Sequence, residues 1–455
     1  MKNNSDEVII QQKNPNNLAN SNFNQNESYI DQSKKNNIIT EPLDVKNSLT
    51  KSVFDRTSSK FSKKIKIISI TIYFIFIISI EFLYRDYLFQ KSLILQESIH
   101  INPKNILILK ISKIISILGA EISAGFFLLL IFLFMPLNYS ILFLQCIIYS
   151  AYFTNTMKMI YQSDRPNWIN QYLNFSCNYG YGNPSGHAFT SSCMYLCLAH
   201  IFTKNFKIKG LIRILIFLLC ISISFFVSIS RVILGAHSIN QIIYGGCLGI
   251  GIYFVLIHII GYHNYTSIEF YQHIKKKRIK KIYYIFHIFL LILCVFIYLF
   301  SQNKDNSDID RDVFNNIRCK LMPEHRRYKN DGLFQALSIM AIIGAQFGID
   351  ILFILLKNNN YMINYSIIEW NLYKRMKFAF LRLFVILFSS IGIILYVVIP
   401  GNFNLIFVYI TKSALAFFLG TSGIFGIGIF LCIKFKIANK NIYKMDVLHE
   451  ITAEA

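Results

Sequence analysis

The chain has 455 residues, 54% of them hydrophobic, and a formal net charge of +22. That apolar share exceeds a soluble domain's, and it is gathered in blocks of about twenty residues, the length of a membrane-spanning helix. An ordinary soluble enzyme is excluded. The lysines cluster at block ends, so the positive charge reads as the positive-inside bias of membrane loops. No nucleic-acid motif accompanies it, and no nucleic-acid partner is expected. The nine cysteines form no C-x-x-C pair, which argues against a zinc site or redox motif. Most lie inside apolar blocks, as small hydrophobes.

Residues 1–60 are rich in Asn, Ser, Lys and Gln and lack a sustained apolar period. That composition predicts a disordered cytoplasmic tail. No apolar segment near Met1 suggests a signal peptide, so the first span, 65–84, is expected to be an uncleaved anchor. Further apolar stretches at 119–137, 139–157, 187–203, 211–229, 239–262, 282–301, 333–356, 378–399 and 404–434 complete ten candidate spans. The last is overlong for one perpendicular crossing. Lys104, Lys110 and Lys113 punctuate 101–118, which reads as an interfacial helix or a lead into the second span. The expected fold is all-α, a polytopic membrane helix bundle. It divides into the tail (1–60), a six-span core (61–262), and a region (263–455) with about four further spans and no assigned role.

With the N-terminus in the cytoplasm, Lys60, Lys63, Lys64 and Lys66 precede the first span. The loop 204–210, the run "KKKRIKK" at 275–281 and Lys374–Lys377 then fall on the same side. The loop 302–332, which carries both signs, falls on the opposite face.

Three stretches meet at that opposite face: Lys158 with Arg165-Pro166 ("KMIYQSDRPNW"), Pro184-Ser185-Gly186-His187, and Ser230-Arg231 with His237 ("SRVILGAHSINQ"). Charged groups near membrane depth are costly and mark a ligand or pathway. Lys158, Arg165 and Arg231 suit a dianion, and an arginine fork suits phosphate. Gly186 admits close backbone approach, and the N–H groups opening the fourth span add an anion site. Two histidines beside a phosphate suggest a nucleophile and a general acid. No carboxylate cluster with metal-ligand spacing accompanies them, so metal-independent chemistry without a cofactor is expected.

K-x6-RP, PSGH and SR-x5-H resemble the signature of the type-2 phosphatidic acid phosphatase superfamily, which includes lipid phosphate phosphatases, glucose-6-phosphatases and vanadium haloperoxidases. The resemblance covers residues 158–245 within the six-span core. It implies a membrane phosphomonoesterase with His237 as the nucleophile forming a phosphohistidine and His187 as the general acid. Lys158, Arg165, Ser185, Gly186 and Arg231 would hold the phosphoryl oxygens. Many members carry Asp four residues after the nucleophile; here it is Gln241. The glucose-6-phosphatase branch is similar in lacking that Asp, and "RPNW" and "GNPSGHA" also look like it.

The substrate is therefore expected to be a lipid phosphate or a sugar phosphate. The protein would sit in the endoplasmic reticulum, another endomembrane or the plasma membrane, among membrane lipids, with its site lumenal or extracellular. The oligomeric state is open. A transporter or catalytically silent membrane regulator is the alternative. Against it stand both retained histidines and the lack of an internal repeat.

Other residues have blander readings. His258 and His287 read as packing or helix-contact residues, Glu121 as a solvated carboxylate or a partner of the cations. Asp350 and Lys412 read as snorkelling or paired within the bundle. Asn174-Phe-Ser176 is a glycosylation sequon, and Cys177 and Cys319 are free or paired in an oxidising lumen. The orientation is checked by placing a single reactive cysteine in the basic run (Arg278→Cys, native thiols blocked) and labelling sealed vesicles with an impermeant maleimide. Reaction is expected from the cytoplasmic side, and reaction only from the other side refutes the topology.

Overall fold

The computed structural model describes residues 43–135, 137–170, 173, 180–261, 264, 273, 276–302, 333, 335–357, 361–363, 380, 383, 387, 414–434 and 442–444. The chain divides into two units, Met1–Lys64 and Ile65–Ala455. Helix α1 (Leu43–Ile101) begins in the first, inside the stretch whose composition suggested a tail. The second unit carries α2 (Ile106–Ile117), α3 (Glu121–Phe134), α4 (Leu137–Tyr161), α5 (Pro166–Ile169), α6 (Gly186–Asn205), α7 (Gly210–Ile233) and α8 (Ile239–Val255). Beyond these lie α9 (Lys277–Gln302), α10 (Met340–Lys357), α11 (Ala416–Ser422) and α12 (Ile429–Lys434).

This is a polytopic helical membrane bundle. Five stretches among the described residues are long and apolar enough to cross a membrane: Lys64–Ile101, Ile106–Phe134, Gly210–Ile233, Ile239–Ile260 and Lys277–Ser301. The expected spans at 139–157 and 187–203 appear as α4 and α6, which are less apolar because they lie inside the bundle. Their buried faces carry Ser140, Gln145, Ser150, Thr154, Asn155 and Ser191 beside Phe143, Tyr152, Phe189 and Met194. Helix α7 instead turns Leu211, Leu215, Leu218, Phe225 and Phe226 outward, as a lipid-facing helix should. The lysine-punctuated stretch packs as α2 against α7. One addition to the all-α expectation is a short antiparallel ladder, β1 (Tyr361–Ile363) on β2 (Ile442–Lys444), with Met362 opposite Tyr443. The expected span 378–399 lies almost wholly outside the described residues, as do 404–413, Lys374–Lys377, Lys412, Asn174, Cys177 and Cys319.

The contact that positions the site is α6 against α8. Gly245 and Gly249, four apart, present a flat helix face. A Cβ on Gly245 would come 2.6 Å from the Ser185 carbonyl oxygen, and one on Gly249 would collide with the Phe189 carbonyl. This close approach sets the start of α6 beside the start of α8, where the two histidines lie. Helix α9 docks on α4 through a buried polar seam. Tyr149 Oη lies 2.8 Å from His287 Nε2, and Tyr152 Oη donates to the Leu290 carbonyl at 2.7 Å. His287 is thus a helix-contact residue, while His258 is exposed and stacks on Phe254. Asp350 on α10 pairs with Lys280 on α9 at 2.6 Å and accepts from Tyr284 Oη at 2.9 Å.

A Gly249→Leu variant should drive α6 and α8 apart. Overpacking costs ~1–3 kcal/mol, so its melting temperature in detergent should fall. A Gly125→Ala control, where nothing lies within 4 Å of the new methyl, should melt no lower than wild type. Equal melting of all three proteins refutes the glycine contact.

Candidate active site

Three helix ends bring the motifs together. Lys158 lies in the last turn of α4. After Tyr161 the chain turns sharply at Gln162 (φ 47°), whose N–H donates to the Lys158 carbonyl at 3.0 Å. Arg165 is extended (φ −97°, ψ 151°) ahead of Pro166, which opens α5; a residue before proline is pushed toward that region.

Ser185 is the N-cap of α6, its hydroxyl accepting from the Ala188 N–H at 3.5 Å. The hydroxyl is buried and serves the helix. The first-turn residues Gly186 and His187, by contrast, are partly exposed, and first-turn N–H groups have no intrahelical partner. Lys158 Nζ lies 3.8 Å from where a Cβ on Gly186 would sit, so motifs one and two converge.

Arg231 occupies the last turn of α7. Gly235 then adopts φ +68°, a left-handed conformation that glycine accepts freely. The chain folds back, and the N–H groups of Ala236 and His237 both reach the Arg231 carbonyl, at 3.0 and 3.3 Å. This turn is why five residues separate Arg231 from His237.

His237 is 2% exposed. Its Nδ1 faces two oxygens, the Gly182 carbonyl at 2.9 Å and Gln241 Oε1 at 3.1 Å. Neither oxygen can donate, so Nδ1 carries the proton and Nε2 keeps its lone pair. Arg165 Nη1 sits 3.0 Å from that Nε2 and donates to the Ala236 carbonyl at 2.9 Å, while its Nε donates to Gly180 at 2.6 Å. The His237 imidazole is held well below its ordinary pKa, first by burial and then by the charges of Arg165, Arg231 and Lys158. It is neutral at physiological pH. The charges of Arg231, Lys158 and Arg165 also reach His187, so the five groups share one electrostatic neighbourhood.

Gln241 does not simply replace a carboxylate. Its Nε2 donates to the Asp164 carbonyl at 2.7 Å and its Oε1 accepts the Ser238 N–H at 3.2 Å, closing a capping box at the start of α8. Those two bonds fix which end of the amide faces His237. Gly182 can be nothing larger: a Cβ there would lie 2.5 Å from both the Asp164 carbonyl oxygen and Gln241 Nε2.

Sequence reasoning missed the outer half of α1. Gln96 Nε2 donates to the His237 carbonyl at 2.7 Å, and Ser92 Oγ accepts the Ile239 N–H at 2.8 Å. Arg85 donates to Ser163 Oγ at 2.6 Å, and Glu81 accepts from Asn183 and Asn240 at 2.7 and 3.1 Å. His100 Nε2 lies 2.9 Å from the Ile233 carbonyl. Residues 81, 85, 92, 96 and 100 lie on one helical face, a polar stripe that was the available signal. Glu121 is exposed at the start of α3, and its charge reaches Lys158.

Among known proteins, a Bacillus subtilis enzyme described as a transmembrane PAP2 type phosphatidylglycerolphosphate phosphatase is similar in structure, with 19% identity and a TM-score of 0.37; the match covers 43% of this chain and 96% of that one. No curated protein matches the chain. The PAP2 superfamily model matches residues 124–265, a stretch that contains all three motifs. Over that stretch the chain is similar to the PAP2 superfamily.

Proposed function

We propose that this protein is an integral-membrane, metal-independent phosphomonoesterase working through a phosphohistidine. The observation that carries the reading is the proton arrangement on His237. Nδ1–H is held by Gly182 and Gln241, so the lone pair of a neutral imidazole sits on Nε2 among three cations.

A substrate phosphate dianion would bind Lys158, Arg165, Arg231 and the backbone N–H groups of Gly186 and His187. Ser185 contributes by capping the helix that aims those N–H groups. As the phosphate arrives, the Arg165 guanidinium turns from Nε2 to a phosphoryl oxygen. Nε2 then attacks phosphorus, forming the N–P bond as the ester P–O bond breaks. The bound phosphate's negative charge offsets the three cations and favours a protonated His187, which gives its proton to the departing oxygen. In the second half, the same imidazole takes a proton from water, whose oxygen displaces His237 from phosphorus and releases inorganic phosphate. Gln241 orients the nucleophile as a neutral acceptor.

The substrate is a lipid or sugar phosphate. Support for a lipid comes from an apolar groove of about 280 Å³ between α6, α7 and α8, lined by Leu196, Ile221, Phe225, Ile229, Ile243 and Ile250. The apolar lining suits an acyl chain. Gln241 and the "GNPSGHA" stretch favour a sugar phosphate by resemblance. The positive-inside pattern supports a site on the lumenal or extracellular face of an endomembrane or the plasma membrane. Phosphate release from phosphatidic acid and glucose 6-phosphate offered in parallel separates the two substrates. Release from neither favours a silent regulator or transporter.

Because three cations neutralise the phosphate, hydrolysis should persist in EDTA. Activity that vanishes with chelator and returns with magnesium refutes a metal-independent mechanism.

The two histidines should fail differently. His237→Ala should form no phosphoenzyme with any substrate. His187→Ala should lose most with an alkyl phosphate and recover part of that loss with p-nitrophenyl phosphate, whose leaving group needs little protonation. General-acid catalysis contributes ~10²–10⁴-fold, so a partial recovery is measurable. A labelled phosphoenzyme trapped in His237→Ala, or leaving-group recovery there and not in His187→Ala, reverses the assignment.

A further inference from the structure

Glu81 is a carboxylate only 5% exposed, on a helix that crosses the membrane and outside the stretch matched to the superfamily. A buried carboxylate at this depth is costly unless its oxygens are satisfied. Here one oxygen accepts two amide donors from different loops: Asn183 Nδ2 at 2.7 Å and Asn240 Nδ2 at 3.1 Å. Asn183 lies four residues before His187, next to the cap of α6. Asn240 lies three residues after His237, and its Oδ1 accepts the Ser238 hydroxyl at 2.6 Å. A backbone bond from the Ser185 N–H to the Gln241 carbonyl at 3.0 Å joins the same loops directly. Asn183 and Asn240 are themselves 0% and 2% exposed, so water is a poor substitute for the carboxylate.

Resting on the phosphatase reading above, we propose that Glu81 is a positioning residue for phosphoryl transfer: its carboxylate clamps Asn183 to Asn240 and so holds His187 and His237 at their working separation. Glu81 itself touches no substrate. A displacement of about 1 Å between reacting groups can cost ~10²-fold, while phosphate affinity, set by Lys158, Arg165 and Arg231, should change little.

The test uses the full-length protein in nanodiscs with p-nitrophenyl phosphate, and His237→Ala as the reference for lost chemistry. Glu81→Ala should lower kcat about 10- to 100-fold with KM within about threefold of wild type. Asn240→Asp alone sets two carboxylates against each other and should fall as far. Glu81→Gln keeps an amide oxygen where Asn183 and Asn240 both donate and should stay within about threefold of wild type. Glu81→Leu fills the same space with no acceptor and should fall as far as Glu81→Ala. A merely space-filling role would be met by leucine as well as by glutamine. Wild-type kcat in Glu81→Ala, or Glu81→Gln no better than Glu81→Leu, overturns the proposal and leaves the phosphatase reading intact. If wild type and His237→Ala are equally inactive, the phosphatase reading falls, and the proposal with it. Should Glu81→Ala or Glu81→Leu not fold, Glu81→Gln against Asn240→Asp decides.

Discussion

The site depends on one constraint: the buried donors of Arg165, His237 and Gln241, gathered where helix ends converge, must be satisfied within the protein. Backbone carbonyls do most of this. Arg165 donates to Gly180 and Ala236, His237 to Gly182, and Gln241 to Asp164. A carbonyl points at a buried side chain only if the chain turns there, so the loops after α4, before α6 and after α7 are shaped by the groups they serve. The left-handed turn at Gly235 and the packed position of Gly182 are local consequences. The crossing of α6 and α8 at Gly245 and Gly249 is the larger one, because it brings two of those loops close enough to share partners.

The same constraint explains a glutamine beside His237. A carboxylate at Nδ1 would stabilise an imidazolium and draw the His237 pKa upward. With two neutral oxygens instead, burial and three nearby cations keep the ring deprotonated. The lone pair is then available without depending on pH near neutrality. On the phosphatase reading proposed above, what is given up is a charge to stabilise the ring once it carries phosphorus. Fixing the glutamine at both ends, through Asp164 and Ser238, keeps the geometry that a charge would otherwise enforce.

Much of this was legible in the sequence, for a reason particular to helix ends. K-x6-RP, PSGH and SR-x5-H each describe a helix terminus and the turn beside it, where spacing along the chain fixes spacing in space. Ser185 as a cap and Gly235 as a helix stop follow from such local rules. The helices carrying them were legible too, although α4 and α6 read as ordinary spans when their polar residues mark them as interior. The contribution of α1 was not legible. Its polar stripe from Glu81 to His100 looks like the solvated lead-out of an anchor, and its partners lie many tens of residues away. Sequence periodicity shows that such a face exists; it does not say which loop will cover it. The pairing of Asp350 with Lys280 was hidden in the same way.

That asymmetry bears on how the enzyme-like core is delimited. The superfamily match begins at residue 124, after α1 and α2. Yet His237 is held at its carbonyl by Gln96, the N–H of the next peptide, at Ile239, is met by Ser92, and Arg231 donates to Ser116 at 2.7 Å. Without those partners, a buried carbonyl, a buried N–H and a guanidinium donor at the centre of the site would each lose a hydrogen bond. An unmet buried polar group costs ~1–3 kcal/mol, and three such losses are comparable with the whole stability of many domains. The matched stretch carries the three motifs, but the hydrogen bonding around them is completed by α1 and α2. Substitutions in those two helices can therefore reshape the site while every motif residue is kept.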